Sequence, residues 1–113
     1  MDLEMRLELI EAFRQVSDDD IKVVVLTGAG EAFCSGGDIR TMEGLTPVAG
    51  RVRLKKGQRL MRTMFELEKP IIAAINDIAA GPGVSIAMAS DILIASENAK
   101  FAFSFVKVGL IPD

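Results

Sequence analysis

The chain has no histidine, tryptophan or tyrosine and only one cysteine, Cys34, among its 113 residues. These absences exclude a disulfide within the chain, zinc sites built from thiolate or imidazole, and any Ser-His or Cys-His couple. Catalysis here must rest on carboxylates and backbone amides. The six phenylalanines are the only aromatics, and none interleaves with the basic cluster at residues 51–62, so the stacking platforms of nucleic-acid binders are missing. Long apolar runs are missing too. The longest uncharged stretch, residues 78–90, is interrupted by Gly81-Pro82-Gly83 and is too short to cross a bilayer. A net charge of −3 argues against a general binder of nucleic acid or anionic membrane. The first residues carry Asp2 and Glu4 and no basic segment before an apolar one, so no secretory leader is read and a cytoplasmic location is expected.

What is present is half apolar and a quarter charged, the balance of a globular domain able to bury a core. Residues 3–16 have helical spacing, with Leu3, Leu7 and Ile10 beside Met5, Leu9, Ala12 and Val16. Residues 21–27 form a β-branched run whose near-continuous apolarity predicts a strand buried on both faces. Residues 44–50, containing Pro47, read as a loop, and residues 51–67 as a helix through Leu54, Met61, Met64 and Leu67. Strands are expected at 71–75, 91–95 and 101–103, with a short helix at 83–90. This alternation predicts an α/β fold with right-handed crossovers, a mainly parallel sheet and ligands at the carboxyl ends of strands. No linker divides the chain, so residues 1–113 read as a single domain.

Two of the strands run toward glycine-rich turns: Val23-Val24-Val25-Leu26 toward Phe33-Cys34-Ser35-Gly36-Gly37-Asp38, and Ile71-Ile72-Ala73-Ala74-Ile75 toward Gly81-Pro82-Gly83. Two such turns can aim backbone N–H groups at one oxygen, forming an oxyanion hole. Other motifs fail on their spacing. Neither turn supplies the third glycine of a dinucleotide fingerprint, and Gly36-Gly37 is followed by Asp38-Ile39 rather than the Lys-Ser or Lys-Thr of a phosphate loop. Gly83-Val84-Ser85-Ile86-Ala87 approaches a nucleophile elbow, yet no histidine can take the serine proton. The cluster of Arg51, Arg53, Lys55, Lys56, Arg59 and Arg62 reads as a solvated helix face, with contact to the phosphates of a nucleotide-bearing ligand or RNA as the alternative. Cys34 reads as a small side chain packed under a turn.

With Lys69-Pro70-Ile71-Ile72-Ala73-Ala74-Ile75-Asn76, Ser90-Asp91-Ile92-Leu93-Ile94-Ala95-Ser96-Glu97, Ala99-Lys100-Phe101 and Gly109-Leu110-Ile111-Pro112 added to the two turns, the chain resembles the crotonase family, the enoyl-CoA hydratase/isomerase superfamily. The resemblance implies a spiral of ββα units and coenzyme A thioester substrates, with no separate cofactor or metal. It also implies a homo-oligomer, trimer or hexamer, with nucleic acid and membrane not expected as partners. Members are more than twice this length, so the chain reads as a partial crotonase-like domain. It lacks the strand pair before the first helix and the C-terminal helices that close the pocket.

Position by position, the resemblance makes the Gly37 N–H the first oxyanion donor, with Ser35, Gly36, Asp38 and Ile39 in a loop beside the coenzyme A. The second donor falls on Pro82, which has no N–H. Either Gly83 supplies the amide through a shifted turn next to Gly81, or activity is impaired. Asp77 also stands where the family usually has glycine after Asn76. The two glutamates with which hydratases of the family handle water align with Ser85 and Phe105, so hydration by that pair is not supported. Residues 102–113 look instead like the ring-1,2-epoxyphenylacetyl-CoA isomerase and enoyl-CoA isomerase branch, in which an aspartate at Asp113 is the implied acid/base. Double-bond isomerisation is therefore the expected activity. The alternatives are hydratase-type activity and a non-catalytic fragment or binding module.

Overall fold

The computed structural model describes residues 1–16 and 20–111. Helix α1, Leu3–Gln15, begins where Asp2 accepts the Met5 N–H at 2.9 Å, which satisfies one of the amides a helix start leaves without a partner. It buries Ile10 and Phe13, while Leu3, Met5 and Leu7 stay exposed. Strand β1, Val24–Thr27, is followed by β2, Ala32–Cys34, and by a 3₁₀ turn at Ile39–Met42. Helix α2 spans Pro47–Phe65, so the expected loop at 44–50 is in large part helix. Thr46 caps it by accepting the Ala49 N–H at 3.3 Å, and Pro47 occupies the first position, where a missing N–H costs nothing.

Strands β3, Ile71–Ile75, and β4, Ile78–Ala80, lead into helix α3, Pro82–Met88; β5, Ile92–Ala95, β6, Phe101–Ala102, and a 3₁₀ turn at Ser104–Val108 follow. The strands form two three-stranded parallel sheets, β1-β3-β5 and β2-β4-β6. Each ββ pair contributes one strand to each sheet before the chain returns through a helix or 3₁₀ turn, which is the spiral of ββα units. Reading the residues strand by strand missed β2 and β4. The glycine turns follow these second strands rather than β1 and β3.

The corners between sheets are held by side chains. Asn76, after β3, accepts the Gly28 N–H at 3.1 Å and donates to the Gly30 carbonyl at 3.0 Å, clamping the β1–β2 corner to its own. A Cβ on Gly28 would lie 2.0 Å from the Ala32 carbonyl oxygen, so only glycine fits that corner. Asp77 needs no glycine, because no non-glycine residue among those described has a positive φ.

One core cluster joins Ile10 and Phe13 of α1 to Leu60 and Met64 of α2 and to Ile71 and Ile86; a second, of Ala73, Ile75, Ala79, Val84 and Ala87, fills the space between the sheets and α3. Strand β3 is central and buries Ile71, Ala73 and Ile75. Strand β1 is shorter than expected and is not buried on both faces. Among the described residues it lies at a sheet edge with β3 as its only partner, and Val25 is 60% exposed. Edge strand β5 likewise exposes Ile92, Leu93 and Ile94.

Candidate active site

Strands β2 and β4 are parallel neighbours, with Cys34 in register with Ala79. Both therefore release their turns from the same end of the sheet. Gly36 takes φ +111° and Gly81 φ +48°, backbone conformations that side-chain-bearing residues avoid. A Cβ on Gly36 would lie 3.4 Å from the Ala80 carbonyl oxygen, and one on Gly37 would lie 3.7 Å from Cγ of Pro82. The two turns thus touch. Gly81 is tied onward to β6 through its N–H to the Ala102 carbonyl at 2.8 Å.

The first turn is braced from several sides. The Asp38 N–H donates to the Met1 carbonyl at 3.3 Å, and the Asp38 carboxylate accepts the Arg40 N–H at 3.1 Å and pairs with Arg40 Nε at 3.0 Å. The hydrogen bond from the Arg40 side chain is the largest of the effects that hold the Asp38 carboxyl below its ordinary pKa. From α2, Arg53 donates to the Asp38 carbonyl at 3.1 Å and to the Thr41 hydroxyl, which itself donates to Asp38 O at 2.7 Å. Among the described residues, nothing accepts a hydrogen bond from the Gly37 N–H.

The second turn runs directly into α3. Pro82 is its first residue, and the N–H groups of Val84 and Ser85 both point back to the Gly81 carbonyl, at 2.9 and 3.4 Å. Gly83 is buried on the far side of this turn. A Cβ there would lie 2.6 Å from Cys34 Cβ and 2.8 Å from the Cys34 carbonyl oxygen, so α3 rests directly on β2.

A cavity of about 1090 Å³ opens between the two turns, one face of α2, the start of α3 and the 104–108 turn. It brings together Ser35, Gly36, Gly37, Ile39, Gly81, Pro82, Ser85 and Phe105 of the residues singled out from the sequence. Asp38 instead faces a smaller recess of about 260 Å³, and Gly83 lines neither. Asp113 lies outside the described residues.

Of the cations of this wall, the sequence pointed to Arg53 and Arg62 within the basic cluster and to neither Arg6 nor Lys107. Arg6, Arg53, Arg62 and Lys107 line the cavity, and no carboxylate among the described residues does. The basic cluster is therefore divided: Arg53 and Arg62 reach the cavity while Arg51, Lys55, Lys56 and Arg59 are exposed outside it. A signal for Arg6 existed, because residues 6, 10 and 13 share the stripe of α1 on which Ile10 and Phe13 are buried. Chemically, the cavity offers the backbone of two glycine turns and cations for a negatively charged ligand.

A profile of the family described as "Enoyl-CoA hydratase/isomerase" matches residues 1–113. The chain is 42% identical to the 1,2-epoxyphenylacetyl-CoA isomerase of Escherichia coli K12, over 97% of its own length and 44% of the relative's. It is 46% identical to the (E)-benzylidenesuccinyl-CoA hydratase of Thauera aromatica, over 96% of its length and 43% of the relative's. The crystal structure of an enoyl-CoA hydratase from Bacillus anthracis superimposes with a TM-score of 0.89 at 33% identity, covering 99% of this chain and 44% of that one. The chain thus spans less than half the length of the relatives it matches. Its paired parallel sheets form the crotonase fold, and the chain belongs to the enoyl-CoA hydratase/isomerase family.

Proposed function

We propose that the cavity binds an acyl-CoA thioester and that the Gly37 N–H stabilises the negative charge that gathers on the thioester oxygen when a proton is removed beside it. The observation that carries this reading is Gly37, which lines the cavity and whose N–H has no acceptor among the described residues. Losing one such donor raises a barrier by roughly 2.7–4 kcal/mol. The second turn contributes less, because Pro82 has no N–H and the Val84 and Ser85 amides are engaged by Gly81. Gly83 is the remaining amide of that turn, and it becomes a donor only if the turn moves away from Cys34.

The proposed reaction is a double-bond shift from 3-enoyl-CoA to 2-enoyl-CoA. The Asp113 carboxylate takes a proton from C2, the electron pair spreads into the thioester as an enolate, and the same proton is returned at C4. The buried Phe105 contributes an apolar side to the cavity in which that proton would move. Isomerisation is preferred over hydration because Ser85 and Phe105, neither able to handle water as a base, line the cavity where the hydratases' glutamates align. The names of the relatives include both reaction types. A trimer or hexamer is part of the proposal, supported by the apolar residues exposed along β5.

The test is to supply a 3-enoyl-CoA and follow the conjugated 2-enoyl thioester by its ultraviolet absorbance. Turnover that disappears in Asp113→Asn supports the assignment; an unchanged rate in that variant, or hydration of a 2-enoyl-CoA without isomerisation, refutes it. Pro82 favours a second reading, a binding module without catalysis. Calorimetric binding of an acyl-CoA with no turnover identifies that case.

A further inference from the structure

We propose that the Ser104 hydroxyl is the second hydrogen-bond donor to the thioester oxygen, in place of the N–H that Pro82 lacks; this rests on the acyl-CoA reading above. A Cβ on Gly81 would lie 3.7 Å from Ser104 Oγ, so the hydroxyl stands beside the residue that precedes Pro82. A Cβ on Gly37 would lie 3.7 Å from Cγ of Pro82 itself. The second turn is thus flanked by the proposed amide donor at Pro82 and by a hydroxyl at Gly81, and Gly37, Gly81, Pro82 and Ser104 all line the main cavity.

Sheet order places them so. Strand β4 lies between β2 and β6, and therefore β2 delivers Gly37 to one side of the second turn while β6 delivers Ser104 to the other. Neighbouring strands are about 4.8 Å apart and an O–H···O bond spans about 2.7 Å, so an oxygen seated over the middle turn is within reach of donors that lean inward, as Gly37 does onto Pro82. Ser104 is held in place by its surroundings. The N–H groups of Ala79 and Gly81 tie β4 to the Lys100 and Ala102 carbonyls at 2.8 Å each, and the next residue, Phe105, is buried and accepts the Leu110 N–H at 3.0 Å. The Ser104 hydroxyl itself makes no hydrogen bond among the described residues, which leaves its proton for a ligand. Of the other serines lining the cavity, Ser35 belongs to the first turn and Ser85 already has an interaction of its own. A positioned serine hydroxyl serves an oxyanion hole as an amide does: it donates a hydrogen bond as charge gathers on the oxygen and keeps its proton throughout.

The experiment reads the thioester carbonyl directly. Butyryl-CoA, isotope-labelled at that carbon, is bound to the chain, and infrared difference spectra give the carbonyl stretching frequency, which falls as hydrogen bonds to its oxygen strengthen; calorimetry establishes binding. Wild type should show the band below its position for the free thioester in water. Ser104→Ala should lose part of that shift while still binding, and Ser104→Thr, which keeps a hydroxyl, should retain more of it. With a 3-enoyl-CoA the rate of isomerisation should fall about 10²-fold or more in Ser104→Ala. Coincident bands in wild type and Ser104→Ala, or a rate that the substitution leaves unchanged, overturn the assignment of Ser104 and leave the acyl-CoA reading intact, whereas a wild-type chain that binds no butyryl-CoA overturns both. Circular dichroism identifies a variant that fails to fold; Ser104→Cys, close in size and a much weaker donor, then takes the place of the alanine variant, with the same outcomes deciding.

Discussion

Replacing Gly83 by alanine separates two physical effects by the sign of the outcome. Gly83 is the second residue of α3, where exchanging glycine for alanine in open space stabilises a helix by up to about 1 kcal/mol. In this fold the new Cβ meets Cys34 Cβ at 2.6 Å, the Cys34 carbonyl oxygen at 2.8 Å and Sγ at 3.0 Å. Two of those three atoms cannot rotate away, so α3 must lift from β2, and overpacking of this kind costs roughly 1–3 kcal/mol. The net expectation is destabilisation by about 1–2 kcal/mol, or roughly 4–8 °C or more in Tm for a domain near this size. Urea unfolding followed by circular dichroism reads it. Gly50→Ala is the control, since it lies in α2 with nothing within 4 Å of the built Cβ and should gain about 0.5–1 kcal/mol. Cys34→Gly in the Gly83→Ala background removes the Cβ and Sγ clashes but leaves the carbonyl, so a double-mutant cycle should show partial rescue. A Gly83→Ala chain as stable as wild type, or more so, would refute the close seating of α3 on β2 and with it the placement of Pro82 against Gly37.

Asn76→Ala removes both hydrogen bonds that join the two sheet corners, at 3.1 and 3.0 Å, and should lower stability by about 1–3 kcal/mol in urea unfolding; Asn76→Asp, which keeps the acceptor and loses the donor, should fall between. The Asp38 carboxyl lies below its ordinary value of 3.8, chiefly through its hydrogen bond from the Arg40 side chain. Because the folded pKa is the lower one, its stabilising contribution is complete above the unfolded value and is lost as the pH falls through the depressed folded value. An NMR titration of Asp38 should therefore show its midpoint rising toward ordinary in Arg40→Gln, and an unmoved midpoint would remove Arg40 as the cause.

Several elements were legible because their signals are local. The helical spacing of Leu3, Leu7 and Ile10 marked α1, and the five-residue run at 71–75 marked β3; periodicity acts within a few residues and is written along the chain. Strands β2 and β4 have three residues each, too few to display alternation, so the residues alone named their glycine turns without the strands that bear them. Pro47 reads as a loop marker in the sequence, although proline is equally at home in the first turn of a helix, and Thr46 supplies the cap. The crotonase resemblance restored the ββα spiral that residue patterns by themselves had read as one sheet.

The site divides along the same line. Which residues are present, the exclusion of histidine and cysteine chemistry, and the missing N–H of Pro82 follow from covalent identity alone, whatever the fold. That Gly37 and Pro82 touch, that Gly83 is seated on Cys34, and that Arg6 and Arg53 meet at Gly37 came only with the parallel pairing of β2 with β4 and the packing of α1 and α2. Such contacts join segments far apart in the chain. They depend on register and helix placement, quantities that the packing of the whole core sets and that no local stretch of sequence encodes.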